Sequence, residues 1–294
     1  MNWLKYKYVY LSLSLGVIVF CIFALVSWKL KLGLDFTGGT LIEYKYEGEI
    51  SSEDAINEFA INDVEVNSIQ QTGDNTYLFR LKAISQDQKI KVDKIFKENI
   101  FKGESSEQRF ETVGPSIGPE LIKKTAYAAL FAAIVILLWV AYQFKSIKFG
   151  LSAILAMFHD SFILIGAFSV LGKYFGAEVD FLFVTALLTT LSFSVHDTIV
   201  VFDRIREVKR NNGGELEEIA NIALTETMVR SLNNSLTIIF MLSSLLLLGG
   251  ITIKWFAVAL LIGTVLGTYS SPFIAVPLLI VFNNIIEKYK KTKK

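Results

Sequence analysis

Long apolar runs separated by polar stretches dominate this chain, and six of the runs are long enough to cross a bilayer. A hydrocarbon core about 30 Å thick requires about 20 mostly apolar residues in a helix. The segments that meet this requirement are Tyr8 to Trp28, Thr125 to Phe144, Phe149 to Gly172, Phe181 to Phe202, Ser231 to Gly250, and Trp255 to about Asn284. The pattern predicts a polytopic α-helical membrane protein with six transmembrane helices.

The first and last runs carry additional signals. Lys5 and Lys7 precede the first run, as basic residues precede the apolar core of a secretory signal peptide. The run is longer than such a core and no convincing small-x-small cleavage site precedes Trp28, so its length favours an uncleaved anchor. In the last run, Pro272 and Pro277 are expected to kink the helix or to mark where it leaves the hydrocarbon.

The polar block between the first and second runs has the periodicity of a soluble domain, with period-2 strands and helices at 3.6-residue spacing. In chain order, the predicted elements are a strand at Leu41 to Tyr46, a helix at Ser51 to Ile61, strands at Val64 to Gln71 and Tyr77 to Ile84 joined at Gly73-Asp74-Asn75, a helix at Gln86 to Ile100, and a strand at Gln108 to Val113. This β-α-β-β-α-β order predicts a small ferredoxin-like α+β domain at residues 31–122. Residues 1–30 then hold the first transmembrane helix, and residues 123–294 hold helices 2 to 6 and the C-terminal tail.

The formal net charge of +1 is the sum of two opposite regions. Residues 29–124 carry 17 acidic and 13 basic side chains, whereas the other 198 residues carry 11 acidic and 16 basic ones. An acidic polar block argues against nucleic-acid binding, which requires a basic surface. Cys21 is the single cysteine and there are two histidines, so neither a disulfide scaffold nor a metal or other cofactor is expected.

Lysine and arginine counts in the short loops predict the orientation. One side of the membrane receives Lys5, Lys7, Lys145, Lys148, Arg204, Arg206, Lys209, Arg210, Lys288, Lys290, Lys291, Lys293 and Lys294. The short loops of the other side hold Lys173 and Lys254. Both termini are therefore predicted to be cytoplasmic, with the 31–122 domain outside the cytoplasmic membrane.

Several ionisable residues lie within the apolar runs, where each costs at least about 2.5 to 3.5 kcal/mol on insertion scales. They are His159-Asp160 in the third run, His196-Asp197 in the fourth and Arg230 at the start of the fifth. At 1.5 Å per residue, Asp197 lies about 24 Å from the outer side, at a depth that Arg230 reaches from the cytoplasm. We interpret Asp197 as a group that takes up and releases protons while Arg230 biases its protonation. A static ion pair is the alternative, and for Asp160, near mid-membrane, both interpretations stay open.

Two further groups of residues stand out, one charged and one made of glycines. The cluster that follows the fourth run, Asp203, Arg204, Arg206 and Glu207, fits either a solvated interfacial ion network or a gate or docking surface. Gly263 and Gly267 form a small-xxx-small pair, which favours close helix packing.

Motifs along essentially the whole chain resemble a known family. They are Leu34-Asp35-Phe36-Thr37-Gly38-Gly39-Thr40, Val113-Gly114-Pro115 with Gly118, Phe158-His159-Asp160, Asp197 to Glu207, and Gly267 to Ser271. In this order they resemble the SecF family, a subunit of the bacterial SecD/SecF protein-export complex. The string from Asp197 to Glu207 is the specific part of the match, since a Gly-Gly pair alone is weak. His196 departs from the family pattern, which usually has Asn before this aspartate.

The resemblance implies a half-transporter of the resistance-nodulation-division type that is not an enzyme. It would pair with SecD beside the SecYEG translocon and its accessory subunits, and use the proton motive force to assist translocation of unfolded preproteins across a membrane-lipid bilayer. In that family the residues matching Asp197 and Arg230 are linked to proton passage. His196 and Asp160 are added here as relay candidates, and Asp35, Gly38 and Gly39 belong to the extracytoplasmic motif.

Two other function classes are weighed against this one. A proton-driven exporter of drugs, lipids or other small solutes usually carries about twelve spans on one chain, so a set of six argues against it. An intramembrane hydrolase would use Ser194 with His196, or a His-Asp dyad with a metal. Residues two apart on a helix point to different faces, which disfavours direct contact between Ser194 and His196.

Overall fold

The computed structural model describes residues 2–46, 48, 50–73, 75–100, 105–114, 117–144 and 146–292. The chain divides into two compact units, one made of Met1–Lys31 with Tyr127–Lys294 and the other of Leu32–Ala126. Five residues used in the sequence predictions lie outside the described ranges: Asp74 of the hairpin turn, Pro115 of a motif, and Lys145, Lys293 and Lys294 of the predicted topology.

Ten α-helices and four strands lie within the described residues. The helices are α1 (Lys7–Trp28), α2 (Leu34–Thr37), α3 (Ser52–Ile61), α4 (Gln86–Ile95), α5 (Ile117–Phe144), α6 (Ile147–Phe175), α7 (Phe181–Asn212), α8 (Leu216–Leu248), α9 (Ile251–Ser270) and α10 (Val276–Thr292). The strands are β1 (Gly39–Tyr46), β2 (Val66–Gly73), β3 (Thr76–Leu81) and β4 (Ser105–Val113).

Six helical segments in the described part of the chain are long and apolar enough to cross a membrane: Trp3–Trp28, Gly118–Val140, Ile147–Phe175, Phe181–Asn212, Leu216–Leu248 and Thr252–Tyr289. Many large apolar side chains on α1 and α5 are exposed, including Val26 and Phe131. Such surfaces suit contact with lipid, where no hydrophobic penalty follows from exposure.

Helices α7 and α8 extend well beyond the apolar runs predicted from the sequence. Only residues 213–215 separate them, and Gly213 and Gly214 have φ angles of +62° and +103°, a conformation that glycine adopts without strain. The first turns of α8 escaped the hydropathy criterion because they are amphipathic. Leu216, Ile219 and Ala223 are buried in the core of this unit, while Glu218 on the same turns is exposed.

The last span contains a break in its hydrogen-bond pattern. A π-helical turn, Ser271–Ala275, joins α9 to α10 and holds Pro272 at its start. Pro277 is the second residue of α10, which follows the π turn directly. The predicted disturbance at Pro272 is therefore a π turn inside a continuous span, and such turns are frequent at functional sites.

The second unit is a two-layer α+β domain. Its sheet has the order β2-β3-β1-β4 with all neighbours antiparallel, and the chain order is the predicted β-α-β-β-α-β. Ser51 and Ser85 cap α3 and α4 with their hydroxyl groups. The fold prediction, six transmembrane helices with a ferredoxin-like domain between the first two, is confirmed. β3 ends three residues before the predicted Ile84, and β4 begins three residues before the predicted Gln108.

Apolar residues on one face of the sheet form the core of this unit with α3, α4 and the π-helical turn Phe96–Ile100 that follows α4. Phe59, Phe79 and Phe96 are fully buried, and the ring of Phe96 packs edge-on against the other two, with ring centroids 5.2 and 4.8 Å apart. Edge-to-face pairs of this kind add to the stabilisation from burial alone. These contacts between aromatic rings therefore join the helical layer to the sheet.

A charged network lies at the edge of this core. The Tyr44 hydroxyl donates to Asp93 Oδ1 at 3.4 Å and Glu107 Oε2 at 3.2 Å, and Lys89 Nζ donates to the same two oxygens at 2.8 and 2.6 Å. Burial raises the pKa of Tyr44, and the two carboxylates raise it further. Partial burial by itself would lower the pKa of Lys89, but its hydrogen bonds to both carboxylates outweigh this effect and raise it. Lys89 also lies over the ring of Phe110.

We expect Lys89→Met to lower the free energy of unfolding of this unit by about 1 kcal/mol, because Asp93 and Glu107 then face each other without a cation. Hydrogen exchange of β1 and β4 amides in the full chain should accelerate about fivefold. Lys91→Met is the matched control, since Lys91 is exposed on the same helix. Equal acceleration in both variants would assign the effect to net charge.

Since both raised pKa values belong to groups that are protonated in the fold, the stability from Tyr44 and Lys89 is present below pH about 10 and lost above it.

Candidate functional site

Asp197 lies on α7 and is half-buried. Its Oδ2 atom accepts a hydrogen bond from Ser231 Oγ on α8 at 2.9 Å. The helix places the neighbouring Ser194, Thr198 and Val201 in the interior, so Asp197 lies at the border of the buried stripe. One hydroxyl donor therefore holds the Asp197 side chain through its Oδ2 atom.

A small cavity lies beside this carboxylate. Its volume is about 20 Å³, which exceeds the roughly 10 to 15 Å³ required by one water molecule. Its lining residues come from α7, α8 and α9 and are Phe193, His196, Asp197, Asn234, Ser235, Ile238, Thr264, Gly267 and Thr268. Carboxylate, amide and hydroxyl groups supply the several polar partners that a buried water needs. The cavity can therefore hold one water molecule beside Asp197.

Arg230 does not form the ion pair with Asp197 that the depth estimate suggested. No ion pair joins the two among the described residues, and Ser231, one position further along α8, contacts Asp197 instead. Arg230 is exposed and lines a separate charged cavity of about 610 Å³. Depth alone could not give this result, because which of two consecutive helix residues faces α7 depends on the rotation of α8 about its axis.

The interfacial cluster is an ion network on α7 that extends to α8. Arg204 pairs with Glu207 at 2.6 Å and with Glu226 of α8 at 2.7 Å, and Arg206 pairs with Asp203 at 3.6 Å. The sequence reasoning missed Glu226, because nothing in its own segment distinguishes it from other surface acids. The charged cavity is lined by Val200, Asp203, Arg204, Glu207, Glu226, Thr227 and Arg230.

A second polar cluster is buried at Asp160. His159 Nδ1 lies 2.8 Å from Asp160 Oδ1, and Ser270 Oγ donates to Asp160 Oδ2 at 2.5 Å. His159 Nε2 shares a hydrogen bond with Ser14 Oγ of α1. His159 and Asp160 are 7% and 4% exposed, so both side chains of this pair are buried. Asp160 therefore has a basic partner, its own neighbour in sequence, and the cluster joins α1, α6 and α9.

Hydroxyl groups lie between the Asp160 cluster and Asp197. Ser271, next to Ser270, is hydrogen-bonded to Thr198 at 3.0 Å, and Thr198 is next to Asp197. Thr268 donates to Ser235 at 2.6 Å. The sequence alone assigned no partner to any of these hydroxyl groups, because a serine or threonine in an apolar helix carries little signal.

The close approach predicted for Gly263 and Gly267 is confirmed. A Cβ atom on Gly263 would lie 1.9 Å from Thr190 Cγ2, and one on Gly267 would lie 3.3 Å from Ser194 Cα. Helices α7 and α9 thus pack closely, and Thr264 and Thr268 of α9 line the same cavity as Asp197. Ser194 Oγ is buried and has no hydrogen-bond partner among the described residues, so it forms no dyad with His196.

Asp35, Gly38 and Gly39, the residues of the Gly-Gly motif, belong to the Leu32–Ala126 unit. Asp35 lies in the helical turn α2 and is half-buried. Gly38 and Gly39 have φ angles of +68° and +123°, and a Cβ on Gly39 would lie 2.8 Å from the carbonyl oxygen of Leu81. The two glycines are thus required by the turn into β1. Within the described part of the chain, no three His, Cys, Asp or Glu side chains are grouped to hold a metal.

Comparisons with known proteins agree with the motifs. Residues 91–285 match a family described as protein export membrane protein SecD/SecF, C-terminal, and residues 23–49, which contain Asp35, Gly38 and Gly39, match the SecD/SecF GG motif. Protein translocase subunit SecF of Thermobaculum terrenum is 41% identical over 297 residues, covering 95% of this chain and 93% of the relative.

Two longer proteins match over nearly the whole of this chain. Protein translocase subunit SecDF of Bacillus subtilis is 32% identical, covering 92% of this chain and 36% of the relative. The crystal structure of SecDF, a translocon-associated membrane protein from Thermus thermophilus, has a TM-score of 0.84 at 29% identity, covering 97% of this chain and 39% of that chain. This chain therefore spans well under half of the length of both SecDF proteins.

Proposed function

This chain belongs to the SecF branch of the SecD/SecF protein-export membrane protein family, and we propose that it is one half of a proton-driven machine that assists preprotein translocation. The observation that carries this proposal is Asp197, a half-buried carboxylate within a candidate span, hydrogen-bonded to Ser231 beside a cavity of one-water size. One elementary charge that crosses 100 mV releases about 2.3 kcal/mol. Proton passage through Asp197 would supply this energy to helix motion.

Asp197 and Asp160 are the two proton-binding groups in this proposal. Asp160 is held by His159 and Ser270, and the hydroxyl groups of Ser271 and Thr198 continue toward Asp197. Arg230 would bias Asp197 electrostatically from the charged cavity, and His196 lines the cavity beside Asp197. The chain is proposed to catalyse no chemical reaction and to use no cofactor.

The partner that completes the machine is proposed to be SecD. The relatives from Bacillus subtilis and Thermus thermophilus are named SecDF, and this chain corresponds to 36% and 39% of them. We further propose that the pair works beside the SecYEG translocon and its accessory subunits on unfolded preproteins. With both termini cytoplasmic, the α+β unit meets the preprotein on the outer side of the cell membrane.

The direct test uses proteoliposomes that contain this chain, SecD and the translocon with its motor. We expect an imposed proton gradient to increase the yield of fully translocated precursor, and a proton uncoupler to remove the increase. Proteoliposomes without this chain and SecD are the control, and their yield should not respond to the uncoupler. An increase of the same size in the presence of the uncoupler would refute proton coupling. Proton-dependent efflux of a lipophilic dye without precursor would instead favour a small-molecule exporter.

A further inference from the structure

We propose that Glu226 is a second carboxylate partner of Arg230 and a positioning residue of the proton path, an inference that rests on the proposed proton-driven function. Glu226 would hold Arg230 whenever Asp197 carries a proton, and release it to Asp197 when that proton leaves. Glu226 itself stays ionised throughout. The proton binds to a carboxylate oxygen of Asp197 and departs from the same group.

The position of Arg230 is the first observation. Among the described residues no carboxylate lies within ion-pair distance of its guanidinium, although Asp203, Glu207 and Glu226 line the same cavity of about 610 Å³. Arg230 is one position before Ser231, which contacts Asp197. The Arg230 guanidinium is always charged, and within the described part of the chain it is paired with no carboxylate.

The spacing on α8 is the second observation. Glu226 and Arg230 are four residues apart on a continuous helix, with the acid on the N-terminal side. Side chains at this spacing lie on one face with Cβ atoms about 5 to 6 Å apart, and this order of acid and base is the favourable one. Glu226 can therefore reach Arg230 by a change of side-chain rotamer.

The present partner of Glu226 is the third observation. Arg204 holds Glu226 at 2.7 Å and also holds Glu207 at 2.6 Å. When Glu226 turns to Arg230, Arg204 keeps Glu207, and Asp203 stays paired with Arg206. Every charged group that lines the cavity thus has a partner after the exchange. Partner exchange therefore leaves no charge uncompensated.

The exchange follows from the charge of Asp197. An ionised Asp197 attracts Arg230, and a cation within about 4 to 6 Å of a carboxylate favours its ionised form. Protonation makes Asp197 neutral and removes this attraction, so Arg230 moves to Glu226. Without Glu226, the other two carboxylates of the cavity, Asp203 and Glu207, stay paired with Arg206 and Arg204. Arg230 then has no partner at the favourable spacing on α8 that competes with Asp197.

The test measures proton entry into proteoliposomes that contain this chain and SecD, with an internal pH-sensitive dye and an imposed potassium diffusion potential, across a range of external pH. We expect Glu226→Gln to shift the midpoint of the flux to lower pH by about one unit, because Asp197 then takes up its proton against a permanently close Arg230. Glu226→Ala should give the same shift, and provides a second neutral variant if the first accumulates poorly.

Two further variants separate partner exchange from a structural ion pair. Arg204→Gln breaks the same Arg204–Glu226 pair but leaves Glu226 free for Arg230, so it should show no acid shift. Glu218→Gln removes an exposed charge from the same helix and should match the unsubstituted chain. An unchanged midpoint in Glu226→Gln, or the same change in Arg204→Gln, would overturn the role of Glu226. Retention of full flux in Asp197→Asn would instead overturn the proposed function itself.

Discussion

Asp197→Asn is expected to abolish the proton-dependent part of precursor translocation. The amide has nearly the same shape as the carboxyl group and can still accept the hydrogen bond from Ser231, so the packing of α7 against α8 should be retained. It cannot bind and release a proton. Because each proton contributes about 2.3 kcal/mol at 100 mV, its loss corresponds to about fiftyfold in any equilibrium that it drives.

The measurement compares the translocation of a secreted precursor with and without a membrane potential, at equal amounts of membrane-inserted chain. His196→Asn is the matched comparison, because it alters the adjacent residue on α7, keeps Asp197 and introduces the residue usual in the family. We expect it to remain active, and loss of activity would make His196 part of the relay. Full potential-dependent stimulation by Asp197→Asn would exclude Asp197 as the proton-binding group.

The cost of charge in an apolar environment explains why both acidic sites could be found from the sequence. An aspartate in an apolar run needs a compensating role, so Asp160 and Asp197 are conspicuous. Their hydroxyl partners are not. A serine in a helix can satisfy itself by donating to the carbonyl four residues earlier, as Ser152 does to Lys148 and Ser161 does to Met157. Only the packing of helices reveals which hydroxyl groups meet an acid instead.

Helix rotation limited the prediction for Arg230 in the same way. Depth along the membrane follows from counting residues, but the facing direction of a side chain changes by about 100° per residue. Ser231 therefore takes the contact with Asp197 that depth alone assigned to Arg230. In the α+β unit, successive strand residues point to opposite faces of the sheet, so the alternation of apolar and polar residues shows which segments are strands. The order of the strands and helices could therefore be predicted.

The hydropathy criterion also missed the extent of α7 and α8. It recognises the part of a helix that suits lipid, whereas residues 216 to 230 are held by an amphipathic stripe that packs against other helices. As a result, Glu226 and Arg230 lie on one continuous helix rather than at the start of a span. Glu226 and Arg230 both line the charged cavity because α8 is continuous through these residues. No short sequence motif indicates this continuity.

Two replacements of Asp160 are expected to distinguish its role in folding from its role in proton passage. Asp160→Leu leaves His159 Nδ1 and Ser270 Oγ without their acceptor in a closed site, so we expect the free energy of unfolding to fall by about 3 to 5 kcal/mol and the chain to accumulate poorly. Asp160→Asn offers an oxygen to His159 and an amide donor to Ser270. It should accumulate normally, and a thermal melt of the purified chain checks both expectations.

Translocation by the Asp160→Asn chain then decides the role of this cluster. Because the amide satisfies the same neighbours but binds no proton, we expect it to lose proton-dependent export while keeping its melting temperature. Ser161→Ala is the control, since Ser161 is next in sequence and its hydroxyl donates to the carbonyl of Met157. If Asp160→Asn exports as well as this control, the Ser14–His159–Asp160–Ser270 chain is a static link among α1, α6 and α9, and the protons pass through Asp197 without it.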